Sequence, residues 1–104
     1  MKLMTKELEA LFAKTGRQDI PDPLVIAKLF DPSGSWTYYV TEYYPEDRTI
    51  FGWVDGVSDP ELGYASLAEI ESVKNRFGLG MERDLHFRPC RLSEIKAKKE
   101  AVAA

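Results

Sequence analysis

Few residue types in this 104-residue chain can do chemistry. His86 is the only histidine and Cys90 the only cysteine, four positions further on. An imidazole beside a thiol can act as base and nucleophile, but no third group stands at a spacing that would orient the ring. A lone strand histidine is more often structural than catalytic. The carboxylates of Glu42, Asp47, Asp55 and Glu61 could serve acid–base or cation chemistry. Yet the chain has no EF-hand loop, no histidine pair and no cysteine ligand set. Gly78-Leu79-Gly80 lacks the third glycine of a dinucleotide loop, and neither a P-loop nor a G-x-S-x-G elbow occurs. The expectation is a non-enzymatic protein with no catalytic residue, no metal site and no cofactor.

The stronger signal is a surface. Eight of the twelve aromatic residues lie between Trp36 and Tyr64. Over Glu42–Glu61 six acids stand against one base, Arg48, leaving five net negative charges. Core packing accounts for many of the rings. Alternation along a strand still sends Tyr38 and Tyr39 to opposite faces, so part of the belt must face outward, where Tyr and Trp anchor partners. The expected partner-binding residues are Tyr39, Tyr43, Tyr44, Glu46, Asp47, Trp53, Asp55 and Asp59. Their charge suits a host or element-encoded protein with a basic nucleic-acid-binding groove. A solvated acidic face that serves only solubility is the plainer alternative.

Two rival readings follow from the same residues. Glu42, Asp55, Tyr64, Arg83 and Asp84 could gather in a carboxylate–Tyr–Arg pocket of a small enzyme or ligand-binding domain. Aromatics on a sheet can also stack single-stranded DNA. That mode needs cations for the phosphates, so acids in the same stretch make direct nucleic-acid binding a weak expectation.

These side chains need a scaffold. Thr5 caps a helix over Lys6–Lys14, whose Leu8, Leu11 and Phe12 share a face and which Gly16 ends. Pro21-Asp22-Pro23 sets an extended lead-in to a strand over Leu24–Phe30, apolar on both faces. Asp31-Pro32-Ser33-Gly34 turns the chain. Trp36–Tyr43 and Arg48–Val54 read as strands joined by Tyr44-Pro45-Glu46-Asp47, with Gly52 placed to let an aromatic ring lie over the backbone. Glu61–Ala65 is a fourth strand. Ser66-Leu67-Ala68-Glu69 is a capping box opening a helix over Leu67–Asn75. A connector, Phe77–Gly80, leads to a fifth strand over Asp84–Arg88, which Pro89 stops. Ser93 caps a last helix over Glu94–Glu100, and the tail beyond it frays. Short connections favour antiparallel neighbours. The fold class is α+β: an antiparallel sheet of four to five strands with helices packed mainly on one face. One domain spans 1–95, and 96–104 is a basic tail, helical or frayed.

Composition agrees with a folded domain: 44% hydrophobic and 30% charged residues, net charge −3. One cysteine allows no internal disulfide, and no apolar run approaches a membrane span. The charged start Met1–Glu7 does not read as a secretory leader. The expectation is cytoplasmic, with no membrane partner.

Several motifs in this order carry a resemblance: Pro23-Leu24-Val25-Ile26-Ala27-Lys28-Leu29-Phe30, Trp36-Thr37-Tyr38, Pro45-Glu46-Asp47, Phe51-Gly52-Trp53-Val54, Glu61-Leu62-Gly63-Tyr64 and Glu82-Arg83-Asp84-Leu85. Together they resemble a bacterial and phage domain-of-unknown-function family, DUF2958, over about Met1–Ile95. The resemblance implies a stand-alone domain of plasmids, phages and other mobile elements, with no established reaction and no catalytic residue to carry over. By association it implies a counter-defence role, as an anti-restriction or anti-CRISPR inhibitor, or a role in DNA maintenance. His86 departs from the aromatic expected at its place, which weakens a functional role for it.

Overall fold

The computed structural model describes residues 2–34, 36–56, 59–74 and 78–103. Helix α1 (Lys6–Thr15) starts where Thr5 accepts the Leu8 N–H at 3.2 Å and ends at Gly16, with φ +70°. The apolar run expected as one strand divides into β1 (Leu24–Val25) and β2 (Ala27–Phe30). Next come β3 (Thr37–Tyr44), β4 (Thr49–Asp55), β5 (Glu61–Ser66) and helix α2 (Leu67–Ser72). Two short strands, β6 (Glu82–Arg83) and β7 (Cys90–Arg91), precede helix α3 (Leu92–Ala103).

Five strands form one antiparallel sheet in the order β5-β4-β3-β2-β6, and β1 pairs with β7 in a second, two-stranded sheet. The α+β class holds. The split at Ile26 follows the pairing: Leu24 and Val25 pair with Arg91 and Cys90, whereas Ala27–Phe30 pair with β3. Val25 belongs to one core cluster, while Ile26, Ala27 and Leu29 belong to the other. The main cluster joins Phe12 of α1 and Leu67 and Ile70 of α2 to Tyr38, Val40, Tyr43 and Ile50. The smaller one joins Leu92 and Ile95 of α3 to Val25 and Tyr39, with Trp53 and Phe87 against it. Helices α1 and α2 thus cover one face, and α3 covers part of the other.

A β-bulge sits in β3. Val40 pairs with Gly52 and Glu42 with Phe51, which leaves Thr41 as the extra residue. Its hydroxyl donates to the Phe51 carbonyl at 3.1 Å, and its own carbonyl accepts from the Gln18 side chain at 2.9 Å. The bulge reverses the alternation of β3. Tyr43 joins the core beside Tyr38 and Val40, and Glu42 and Tyr44 turn to the opposite face. At Gly52 a Cβ would lie 2.0 Å from the Tyr39 carbonyl oxygen, so the glycine is required by a neighbouring backbone. The Tyr38 hydroxyl does reach across β4 to donate to the Gly63 carbonyl.

Other expectations shift. Helix α2 stops at Ser72, because Val73 is extended with ψ 131°; Asn75 and Phe77 lie outside the described residues. The fifth strand is two residues earlier than expected. Asp84 instead accepts the His86 N–H at 2.9 Å and the Phe87 N–H on its carbonyl at 3.3 Å, which forms a turn and leaves Leu85 exposed. Helix α3 begins at Leu92. Ser93 is inside it, and the Asp22 carboxylate accepts both the Ser93 N–H (2.9 Å) and its hydroxyl (2.7 Å). The backbone runs helical to Ala103. No helix among the described residues is long and apolar enough to cross a membrane.

Candidate protein-docking face

The sheet face opposite α1 and α2 is only half covered. Register places Tyr44 beside Thr49, Glu42 beside Phe51 beside Tyr64, and Tyr39 beside Trp53 beside Leu62 on that face. Over its β3 side α3 lies down, with Ile95 packed near Tyr39 and the Lys96 ammonium 4.1 Å from the centre of the Trp53 ring. Over the β4–β5 side, rings and an aliphatic chain meet solvent. Tyr64 is 63% exposed and stacks obliquely on Phe51, with ring centres 4.5 Å apart; Leu62 is 46% exposed. Exposed apolar groups that adjoin one another, unlike isolated ones, mark interaction sites.

Tyr44 is held rather than loose. Its hydroxyl donates to one Glu42 oxygen, and the other accepts the Gln18 N–H at 3.0 Å. The bond to Glu42, and then burial, push the Tyr44 phenol up to about 12. Tyr44 and Tyr64 wall an open cavity of about 480 Å³ with Arg17, Thr49, Glu46 and Asp47. The acidic turn is braced at its end by Arg48, which has φ 55°. The Arg48 guanidinium pairs with Glu71 at 2.8 Å, and its carbonyl accepts the Leu67 N–H. That pairing, and then the Tyr43 hydroxyl, raise the Arg48 pKa.

The aromatic strip therefore runs Tyr44, Phe51, Tyr64, Leu62, Trp53. Glu46 and Asp47 lie at one end, and Asp59, just before β5, at the other, all exposed. Glu61 pairs with Val54 and is on the opposite face. Burying the rings of such a strip against a partner, with acids left to meet cations at the rim, follows the usual anatomy of a protein interface.

The family model described as "Protein of unknown function (DUF2958)" matches residues 3–101. The chain belongs to this family. Comparison with curated proteins gives no match, and neither does comparison with solved structures. The DUF2958 match brings no reaction or ligand, so the site rests on its own geometry.

Of the residues expected to face a partner, Tyr44, Glu46, Asp47 and Asp59 border the strip, and Trp53 lies in it beneath Lys96. Tyr39 and Tyr43 do not face outward. The helix α3 covers Tyr39, and the bulge turns Tyr43 into the main core against Phe12. Asp55 is occupied by an ion pair to Lys99, so it adds nothing to the acidic rim. Phe51, Leu62 and Arg17 were not expected there, and Tyr64 was expected only in the rival pocket. Strict alternation across the β4–β5 register would have found the first two.

The rival pocket does not form. Tyr64 and Arg83 stand on opposite edge strands of a five-stranded sheet, four spacings of about 4.8 Å apart, or roughly 19 Å. Glu42 is buried beneath Tyr44, Asp55 is bound to α3, and Asp84 pairs with Lys28 at 3.8 Å. His86 and Cys90 both line a second cavity, of about 580 Å³. Burial, and then Glu94, push the Cys90 thiol up, which favours the protonated, non-nucleophilic form. Among the described residues no three His, Cys, Asp or Glu side chains gather to hold a metal ion.

Proposed function

We propose that this protein acts by binding another protein, whose basic, partly apolar surface covers the Tyr44–Phe51–Tyr64–Leu62 strip. The observation carrying this reading is the contiguous exposure of Tyr64 and Leu62 beside Phe51 on a sheet face otherwise covered by α3. Acids at both ends of the strip favour lysine- or arginine-rich partners by charge complementarity. The narrower form is a counter-defence inhibitor carried by a mobile element. It would occupy the nucleic-acid groove of a host restriction or CRISPR component. Family resemblance and surface charge support that form.

The test compares capture of partners from cell lysate by four tagged chains: wild type, a Leu62→Ser/Tyr64→Ser pair, a Glu46→Lys/Asp47→Lys pair, and Glu9→Lys on α1 as control. The reading expects one basic partner recovered by wild type and the control and lost, at least tenfold, by both pairs. Equal recovery by all four chains refutes it. A salt-sensitive shift of single-stranded DNA by the wild type, abolished by the Leu62/Tyr64 pair, would favour base stacking instead.

A further inference from the structure

The second cavity has the opposite electrical sign from the chain that builds it. The protein carries net charge −3, yet the cavity of about 580 Å³ gathers Lys28 from β2, Arg88 from the loop before β7, and Lys98 and Lys99 from α3. Only Asp84 and Glu94 oppose them on its walls. Lys28 holds Asp84 at a long 3.8 Å, and Lys99 is turned toward Asp55. Arg88 and Lys98 have no carboxylate within ion-pair distance among the described residues. Residues 28, 88 and 98–99 are remote in sequence, so only the fold brings these cations to one concavity. Like charges so placed repel one another and concentrate anions.

Apart from His86 and Cys90, the rest of the lining is aromatic or aliphatic. The Tyr39 ring forms the base, with the Lys28 and Lys99 ammoniums 5.9 Å and 6.0 Å from its centre. Phe87, Pro89 and Ile95 form a wall. The volume lies within the range of small-molecule sites, which combine apolar walls with a few polar groups.

We propose that this cavity binds a small organic phosphate of nucleoside-monophosphate size. Its phosphate meets Arg88 and Lys98, with Lys28 and Lys99 behind them. Its flat body rests on the Phe87–Ile95 wall. This site is separated from the docking strip by α3, whose Lys96 faces Trp53 while Lys98 and Lys99 face the cavity. It stands or falls independently of the docking proposal.

The experiment is calorimetric titration at low salt with three probes: adenosine monophosphate, adenosine and inorganic phosphate. Amide chemical shifts are followed over residues 84–99. The proposal expects the monophosphate to bind at least tenfold more tightly than either part alone, with shifts centred on Arg88, Cys90 and Lys98. Lys98→Glu and Arg88→Glu, both at exposed positions, should each weaken it at least tenfold. Lys6→Glu, on α1 across the sheet, should leave it unchanged. Three results each overturn the proposal: no binding of the monophosphate at millimolar concentration, equal affinity for inorganic phosphate, or indifference to both charge reversals.

Discussion

The Gln18 side chain bonds backbone groups on two other segments, and its removal is an informative perturbation of the fold. Its Oε1 accepts the Leu24 N–H at 2.7 Å, and its Nε2 donates to the carbonyls of Leu24 (2.8 Å) and Thr41 (2.9 Å). One amide thus ties the segment after α1 to β1 and to the bulge of β3. The bulge in turn decides that Glu42 and Tyr44, not Tyr43, face the docking strip. Gln18→Ala removes three hydrogen bonds, each worth about 1 kcal/mol net. Water can reach part of this half-buried site, so the expected loss is about 2–3 kcal/mol. With a urea dependence of about 1 kcal/mol per molar, the unfolding midpoint should fall by roughly 2–3 M. Gln18→Glu should not rescue it. The carboxylate keeps the acceptor for Leu24 but loses both donors and places a second anion near Glu42. Urea unfolding followed by Trp fluorescence measures this. A midpoint lowered by less than about 0.5 M in Gln18→Ala would refute the role assigned to the clip.

Other consequences can be checked separately. Gly52→Ala should cost about 3 kcal/mol or more, because the new methyl meets the Tyr39 and Val40 backbone. Gly63→Ala, with nothing within 4 Å of its Cβ, should stay within about 0.5 kcal/mol on thermal melting. In alkaline titration followed by phenolate absorbance, Tyr38, held by burial, and Tyr44, held first by Glu42, should both ionise near 12. A folded pKa raised above the usual tyrosine value near 10 gives stability that is complete below that value. That stability is lost as pH rises from about 10 to about 12, and Glu42→Gln should return the Tyr44 part toward the ordinary value. Asp22 is held below its usual range by the Ser93 hydroxyl and N–H. Its contribution is therefore present above about pH 4 and fades as pH falls through the lowered value; Asp22→Ala should speed amide exchange at Ser93.

What could be read from the residues divides along locality. The caps at Thr5 and Ser66, the strands β3, β4 and β5 and the antiparallel meander depend on spacings of two to four residues, and each stands within one or two positions of its expected place. The departures arise where distant groups intervene. Leu24–Phe30 looks uniform, but its first two residues pair with Cys90 and Arg91, some 65 positions away, and the strand divides. The β3 bulge depends on Thr41 bonding to Phe51 and on Gln18, and nothing in Trp36–Tyr43 announces a change of phase. Tyr43 therefore ends in the main core, and Tyr39, ahead of the bulge, is covered by α3, although rings on that sheet do reach solvent at Tyr64. The basic cavity was invisible for a related reason: Lys28, Arg88 and Lys98 are unremarkable singly, and only the packing of α3 against β3 unites them.

The central functional claim is that the strip formed by Tyr44, Phe51, Tyr64 and Leu62 is the surface a partner covers. Hydroxyl-radical footprinting of the chain, free and in its captured complex, tests this most directly. The account predicts that Tyr64, Phe51 and Leu62 are modified in the free protein and protected in the complex, while Tyr38 and Tyr43 stay unreactive in both. A complex in which Tyr64 and Leu62 remain fully reactive while protection falls on the outer face of α1 would contradict it.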